Sequence, residues 1–111
     1  KTRMYFKDST LELKGPRARG YGAFSIGDCF ISYDNCTLNV NGYPLLIGSP
    51  EGKACGEFTN GTIANSPVTA VMIFKAAGSA LKVDKGTTLN TGSSTFVVKG
   101  SNAYLSIDNA K

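Results

Sequence analysis

Asn35-Cys36-Thr37-Leu38-Asn39-Val40-Asn41-Gly42 sets Thr37 ahead of two apolar residues, Leu38 and Val40, separated by one polar residue, and closes on Gly. Alternation of period two places Leu38 and Val40 on one side of an extended strand and Thr37 and Asn39 on the other, and the Gly permits a turn. Asp8-Ser9-Thr10-Leu11-Glu12-Leu13-Lys14-Gly15 repeats the pattern almost position for position, and Ser94-Thr95-Phe96-Val97-Val98-Lys99-Gly100 repeats its second half. Thr10 and Thr37 lie 27 residues apart and Thr95 a further 58, near twice that step. Thr69 to Lys75, apolar and also opening on Thr, falls in the gap. One strand-and-turn unit per step is how a solenoid is written in sequence.

The composition agrees with short strands and tight turns: 13 Gly in 111 residues, with Ser, Thr and Asn abundant and only 18% charged residues. No window sustains a 3.6-residue apolar period, so no helix is expected. Residues 1–111 are expected to form a single β-rich domain, large enough for its own core. A chain that opens at Lys1 and closes directly after a strand-like run is expected to be a fragment of a longer one. No run approaches the roughly 20 apolar residues of a membrane span, and the start lacks a signal-peptide pattern.

Working along the chain, Met4-Tyr5-Phe6, Leu11 with Leu13, and Ala23 to Ile26 mark the first strands. Gly15 to Gly22 reads as an exposed loop carrying Arg17, Arg19 and Tyr21. Cys29 to Tyr33 puts Phe30 on one face and Ile31 with Tyr33 on the other, so at least one aromatic should be only partly buried. Tyr43 to Ile47 is apolar on both faces, with Pro44 suited to a strand start or an edge, and Gly48 to Lys53 is a second loop. Phe58 to Pro67 looks like strand, bend and strand, with Asn60 at the bend and Asn65 five residues on, where amides can stack from one coil to the next. Thr69 to Lys75 should be the most covered strand, and Leu81 with Val83, Thr87 to Leu89, Phe96 with Val98 and Tyr104 to Ile107 complete the set.

Cys29, Cys36 and Cys55 cannot all pair within one chain, are not spaced as a zinc site, and have no His to join them. They read as small packed apolar residues, with one disulfide plus a free thiol as the alternative. No metal or cofactor is expected. Asn35-Cys36-Thr37 and Asn60-Gly61-Thr62 fit the glycosylation sequon, a triplet that Asn-rich turns also generate by chance. The net charge of +4 is scattered as single Lys and Arg residues, a field that favours an anionic partner modestly and also guards strand edges.

The absence of His excludes Ser-His-Asp and Cys-His chemistry within the chain. Asp28 and Asp34 flank one short strand, some 20 Å apart at about 3.3 Å per residue. That is beyond the roughly 5 to 10 Å of a glycosidase pair, so either could act only with a carboxylate from a neighbouring coil. No catalytic residue is assigned. Nucleic-acid binding would need aromatics interleaved with a basic stripe, and only Arg17, Arg19 and Tyr21 come close, so no nucleic-acid partner is expected. Glycan binding asks only for an aromatic face with planar polar or cationic groups around it, which Arg17, Arg19, Tyr21, Tyr33, Asp34, Tyr43 and Lys53 could supply if their loops emerge on one side.

The Thr-apolar-x-apolar-x-Gly units, with Phe58 to Pro67 as the corner of one coil, resemble the right-handed parallel β-helix domains of pectate-lyase-like proteins and of bacteriophage tailspikes and tail fibres. The resemblance implies an all-β fold, a parallel β-helix or an interwoven trimeric β-solenoid segment. An antiparallel β-sandwich or jelly roll remains the alternative, because Asn41-Gly42 and Lys99-Gly100 could close hairpins. It also implies a homotrimer and a structural, host-attachment role in an extracellular virion tail, in contact with an acidic bacterial surface polysaccharide. No acidic run matches the calcium face of pectate lyases, which counts against lyase activity; part of a polysaccharide hydrolase or lyase, with carboxylates donated across coils or chains, is the second expectation. A secreted, monomeric carbohydrate-binding module is a third.

Overall fold

The computed structural model describes residues 2–14, 20–21, 24–25, 28–47, 54–68, 71–73, 80–84, 86–92, 95–98, 104–108 and 110–111. All regular elements among them are strands: β1 (Arg3–Lys7), β2 (Thr10–Leu13), β3 (Gly20–Tyr21), β4 (Phe24–Ser25), β5 (Phe30–Asp34), β6 (Thr37–Val40), β7 (Gly42–Tyr43), β8 (Leu45–Ile47), β9 (Cys55–Thr59), β10 (Ile63–Ser66), β11 (Val71–Ile73), β12 (Ala80–Val83), β13 (Thr88–Thr91), β14 (Phe96–Val98) and β15 (Tyr104–Ile107). They form a five-stranded sheet β1-β5-β9-β12-β15, two four-stranded sheets, β13-β10-β6-β2 and β14-β11-β8-β4, and the pair β3-β7.

Every described pairing is parallel and is made within the one chain. This overturns the antiparallel sandwich. Consecutive strands do not pair with one another; each leads to a different sheet, so Asn41-Gly42 carries the chain from β6 into β7 instead of closing a hairpin. The chain returns to the five-stranded sheet at steps of 27, 25, 25 and 24 residues, read from the partners Arg3, Phe30, Cys55, Ala80 and Tyr104. An interwoven trimer is not needed to complete these pairings.

The repeat is real, but one of its copies belongs elsewhere. Thr10, Thr37, Ile63 and Thr88 are successive partners in one sheet, whereas Phe96, just after Thr95, pairs with Val71 in another. A short alternating strand ending at a Gly turn suits any face of such a molecule, so the motif marks strands without saying which sheet they join. Thr69 to Lys75 likewise holds β11, hydrogen-bonded to β8 and β14 on its two sides.

Alternation directs Ile31, Tyr33, Phe58, Leu81 and Val83 inward from the five-stranded sheet, Leu38, Val40 and Ala64 from the second, and Leu45 and Ile47 from the third, into one buried cluster. Phe6, Tyr33 and Phe58 stack strand over strand, with centroids 5.1 and 5.6 Å apart. Gly56 occupies the inward position between Ile31 and Leu81, and a Cβ there would stand 3.0 Å from Leu45 Cδ2 and 3.1 Å from Ile47 Cδ1.

The corner between the five-stranded sheet and its neighbour is built twice in a short form and twice in a longer one. Asp8 and Asn35 turn the chain as single residues at φ 50° and 51°, and Asn35 Nδ2 donates to Asp8 Oδ1 at 2.8 Å. Asn and Asp tolerate this left-handed region better than other side chains. The next corner inserts a Gly: Asn60 at φ 52° is followed by Gly61 at φ 79°, and Asn60 Nδ2 donates to Asp34 Oδ1 at 2.9 Å. Thr62, fully buried behind that turn, has its hydroxyl 3.0 Å from Tyr33 O and 2.8 Å from Thr59 O, and accepts the Cys36 N–H at 3.2 Å. Thr87, equally buried behind Gly86, donates to Phe58 O at 3.3 Å.

Candidate functional site

The face of the five-stranded sheet that points away from the core carries the alternate residues Arg3 and Tyr5 of β1, Phe30 and Ser32 of β5, Cys55 and Glu57 of β9, and Ala80 and Lys82 of β12. Parallel register aligns them in two rows that cross the strands, Arg3-Phe30-Cys55-Ala80 and Tyr5-Ser32-Glu57-Lys82. Residues 25 to 27 positions apart in sequence thus become neighbours at strand spacing, about 4.8 Å per step.

Tyr5 is 62% exposed and leans on Phe30, centroids 5.8 Å apart and planes at 53°, the tilted arrangement aromatic pairs favour. Beside them lies a cavity of ≈ 500 Å³ lined by Arg3, Tyr5, Asp28, Cys29, Phe30, Cys55 and Glu57. A second cavity of ≈ 330 Å³ shares Phe30, Cys55 and Glu57 and extends past Lys82 to Ser106. Ser32 Oγ donates to Glu57 Oε1 at 2.8 Å, which holds that carboxylate on the face and leaves Oε2 for other contacts. An apolar ring face, a guanidinium and two carboxylates therefore border the first cavity, and the Lys82 ammonium borders the second. Such a set can stack a sugar ring and hydrogen-bond the hydroxyls and carboxylates around it. Among the described residues no group of three or more Cys, Asp or Glu is placed to hold a metal ion.

The residues expected from sequence to bind a glycan go elsewhere or fall outside the description. Tyr33 is fully buried, sandwiched between Phe6 and Phe58, and offers no face to a ligand. Its hydroxyl has no hydrogen-bond partner, and burial, reinforced by the Cys36 thiol, pushes its pKa far above the ordinary tyrosine value. Phe30 on the opposite side of the same strand is the partly exposed aromatic of the pair. Asp34 is half-buried at the corner, accepting from Asn60. Tyr43 is half-buried on β7 and in register with Tyr21 on β3, so the backbone does bring these two tyrosines together. Arg17, Arg19 and Lys53 lie outside the described residues. The residues missed, Arg3, Tyr5, Phe30, Glu57 and Lys82, are all strand residues; the one available signal was their outward parity once the step of 24 to 27 residues was applied. Cys29, Cys36 and Cys55 are not joined by disulfides.

Compared with protein-family models, with curated proteins and with solved structures, the chain matches none.

Proposed function

We propose that the chain is a right-handed parallel β-helix segment that binds an acidic glycan on the outward face of its five-stranded sheet. The observation that carries the binding reading is the exposed Tyr5 set against Phe30 at the rim of a cavity that Arg3, Asp28 and Glu57 also line. The β-helix reading is supported by all-parallel pairing, by the regular return of the chain to each sheet and by one core filled from three sheets. Parallel crossovers are right-handed in nearly all proteins. In the ligand complex a sugar ring stacks on Tyr5, Arg3 receives a uronate or sialate carboxylate in two parallel hydrogen bonds, and Glu57 accepts from ring hydroxyls. The biological setting is host attachment from a trimeric, extracellular tailspike or tail fibre, as the sequence resemblance implies.

Calorimetric titration with a panel of acidic oligosaccharides, oligogalacturonate and oligosialate first, tests the binding. The expected result is saturable binding that Tyr5→Ala and Arg3→Ala each weaken about tenfold or more, with unchanged circular dichroism. Absence of binding across the panel, or binding indifferent to both substitutions, overturns it.

A second reading rests on Asp28, in the turn before β5, and Glu57 of β9, which line one cavity. Two carboxylates facing one depression are the minimal equipment of a glycosidase. Under this reading reducing ends appear when the chain is incubated with the polysaccharide it binds, and Glu57→Gln abolishes them while leaving binding intact.

A further inference from the structure

The chain contains two Asn-Gly pairs, Asn41-Gly42 and Asn60-Gly61. Such a pair matters chemically because glycine, without a side chain, lets its backbone nitrogen approach the preceding side-chain amide. Asn39, Asn65 and Asn90, which bond one another along a register line, precede Val, Ser and Thr, whose side chains crowd that approach.

The fold treats the two pairs differently. Asn41-Gly42 is held by its neighbours: the Asn41 N–H donates to Leu13 O at 3.0 Å, while Gly42 is buried, pairs with Gly20 and accepts the Ser66 hydroxyl at its carbonyl. Its peptide unit cannot rotate without giving up those bonds. Asn60-Gly61 forms instead the two central residues of an exposed turn, at φ 52° and 79°, closed by the Thr62 N–H on Thr59 O at 3.3 Å. Positive φ at both positions is type I′ geometry, closed between the outer residues and not through the Gly N–H. Among the described residues nothing takes the Gly61 N–H. A Cβ on Gly61 would meet no atom within 4 Å, and the neighbouring coil sets Gly86 beside Gly61 N, where even a Cβ would stand 3.5 Å away. The nitrogen is therefore open to reaction, and the Asn60 amide is restrained by the bond from its Nδ2 to Asp34 Oδ1 at 2.9 Å.

We propose that Asn60 is a modification site of the folded chain, where the Asn60-Gly61 pair converts itself to aspartyl and isoaspartyl forms and so loosens the corner. Gly61 N attacks Asn60 Cγ. The N–Cγ bond of a cyclic succinimide forms, the Cγ–Nδ2 bond breaks, and the Gly61 amide proton leaves with that nitrogen as ammonia. Water then opens the ring: at Cγ it leaves an aspartate side chain, and at the main-chain carbonyl it leaves an isoaspartate, with an extra methylene in the backbone. Water is the only co-reactant. Either product removes the donor to Asp34 and sets a second carboxylate against the first, an unfavourable pairing of like charges. The isoaspartyl form also lengthens the turn behind which Thr62 is fully buried. Neither glycan reading is needed for this site, which lies at a corner and not on a sheet face.

Incubation of the intact chain at mildly alkaline pH, followed by digestion in acid and mass spectrometry of the peptides, tests it. The expected result is conversion at Asn60 about tenfold or more faster than at Asn41 in the folded chain, with the two rates converging in urea, where no fold distinguishes the pairs. Equal rates in the folded chain, faster conversion at Asn41, or no conversion at Asn60 overturns the assignment. Asn60→Asp supplies the aspartyl product directly for thermal melts. A melting temperature below that of the parent is expected, and an unchanged one overturns the loosening of the corner.

Discussion

Tyr33 shows what one residue can reveal about the fold. A phenol stacked between Phe6 and Phe58 with its hydroxyl unpartnered is held by its ring and penalised at its tip. Tyr33→Phe should therefore leave stability unchanged or raise it by about 1 kcal/mol, measured by urea unfolding. Burial raises the folded-state pKa above the ordinary value of about 10, so between the two values the unfolded chain loses a proton that the folded chain keeps. Stability then falls as pH rises above about 10, at up to about 1.4 kcal/mol per pH unit, and Tyr33→Phe should remove that part of the alkaline loss. Gly56 is a second such point. Leu45 and Ile47 already fill the space a Cβ needs, so Gly56→Val should destabilise by about 1 to 3 kcal/mol or more, as overpacking does. Neither fact was legible in the sequence. The alternation showed that Tyr33 and Phe30 face opposite ways, but not which side was the core, because both are aromatic and both flank Ser and Ile.

At the scale of elements, what could be read was what depends on local pattern. Strand positions such as Leu11 with Leu13, Leu38 with Val40 and Leu81 with Val83 follow from period two, and the turn at Asn60-Gly61 follows from left-handed backbone geometry. Which strands share a sheet was less accessible, since Thr-Leu-Asn at Thr37 and at Thr88 belongs to one sheet while Thr95-Phe96 leads into another. The true partner of Thr37 on its third visit is Ile63, a different residue type, and no local motif announces that equivalence. The corners carry a further expectation. Thr62 is buried with its hydroxyl bonded both ways, so Thr62→Val should leave the Cys36 N–H without its acceptor, while the Thr59 carbonyl keeps the Asn35 N–H, and cost about 1 to 3 kcal/mol, read from the shift of the denaturation midpoint. A small effect would mean that water reaches the corner.

At the scale of the whole molecule, the three larger sheets end, among the described residues, in β1 with β15, β2 with β13 and β4 with β14, and on the outer side of β13 Lys111 bonds the backbone of Thr87 and Leu89. Met4 and Ile107, on those outermost strands, are among the most exposed large apolar residues described. Association through such surfaces is the usual remedy for open edges, and the proposed trimer predicts a mass near three times 11.7 kDa by light scattering; a stable monomer would remove the spike setting while leaving the binding face untouched. The site itself exists only at this scale, because Arg3, Tyr5, Phe30, Glu57 and Lys82 are brought together by register across four strands. The most direct measurement is therefore a residue-resolved one, a nuclear magnetic resonance titration of the labelled chain with oligogalacturonate. Saturating shifts confined to Arg3, Tyr5, Phe30, Glu57, Lys82 and their strand neighbours are predicted, and an unresponsive face, or shifts centred on another sheet, would contradict the account.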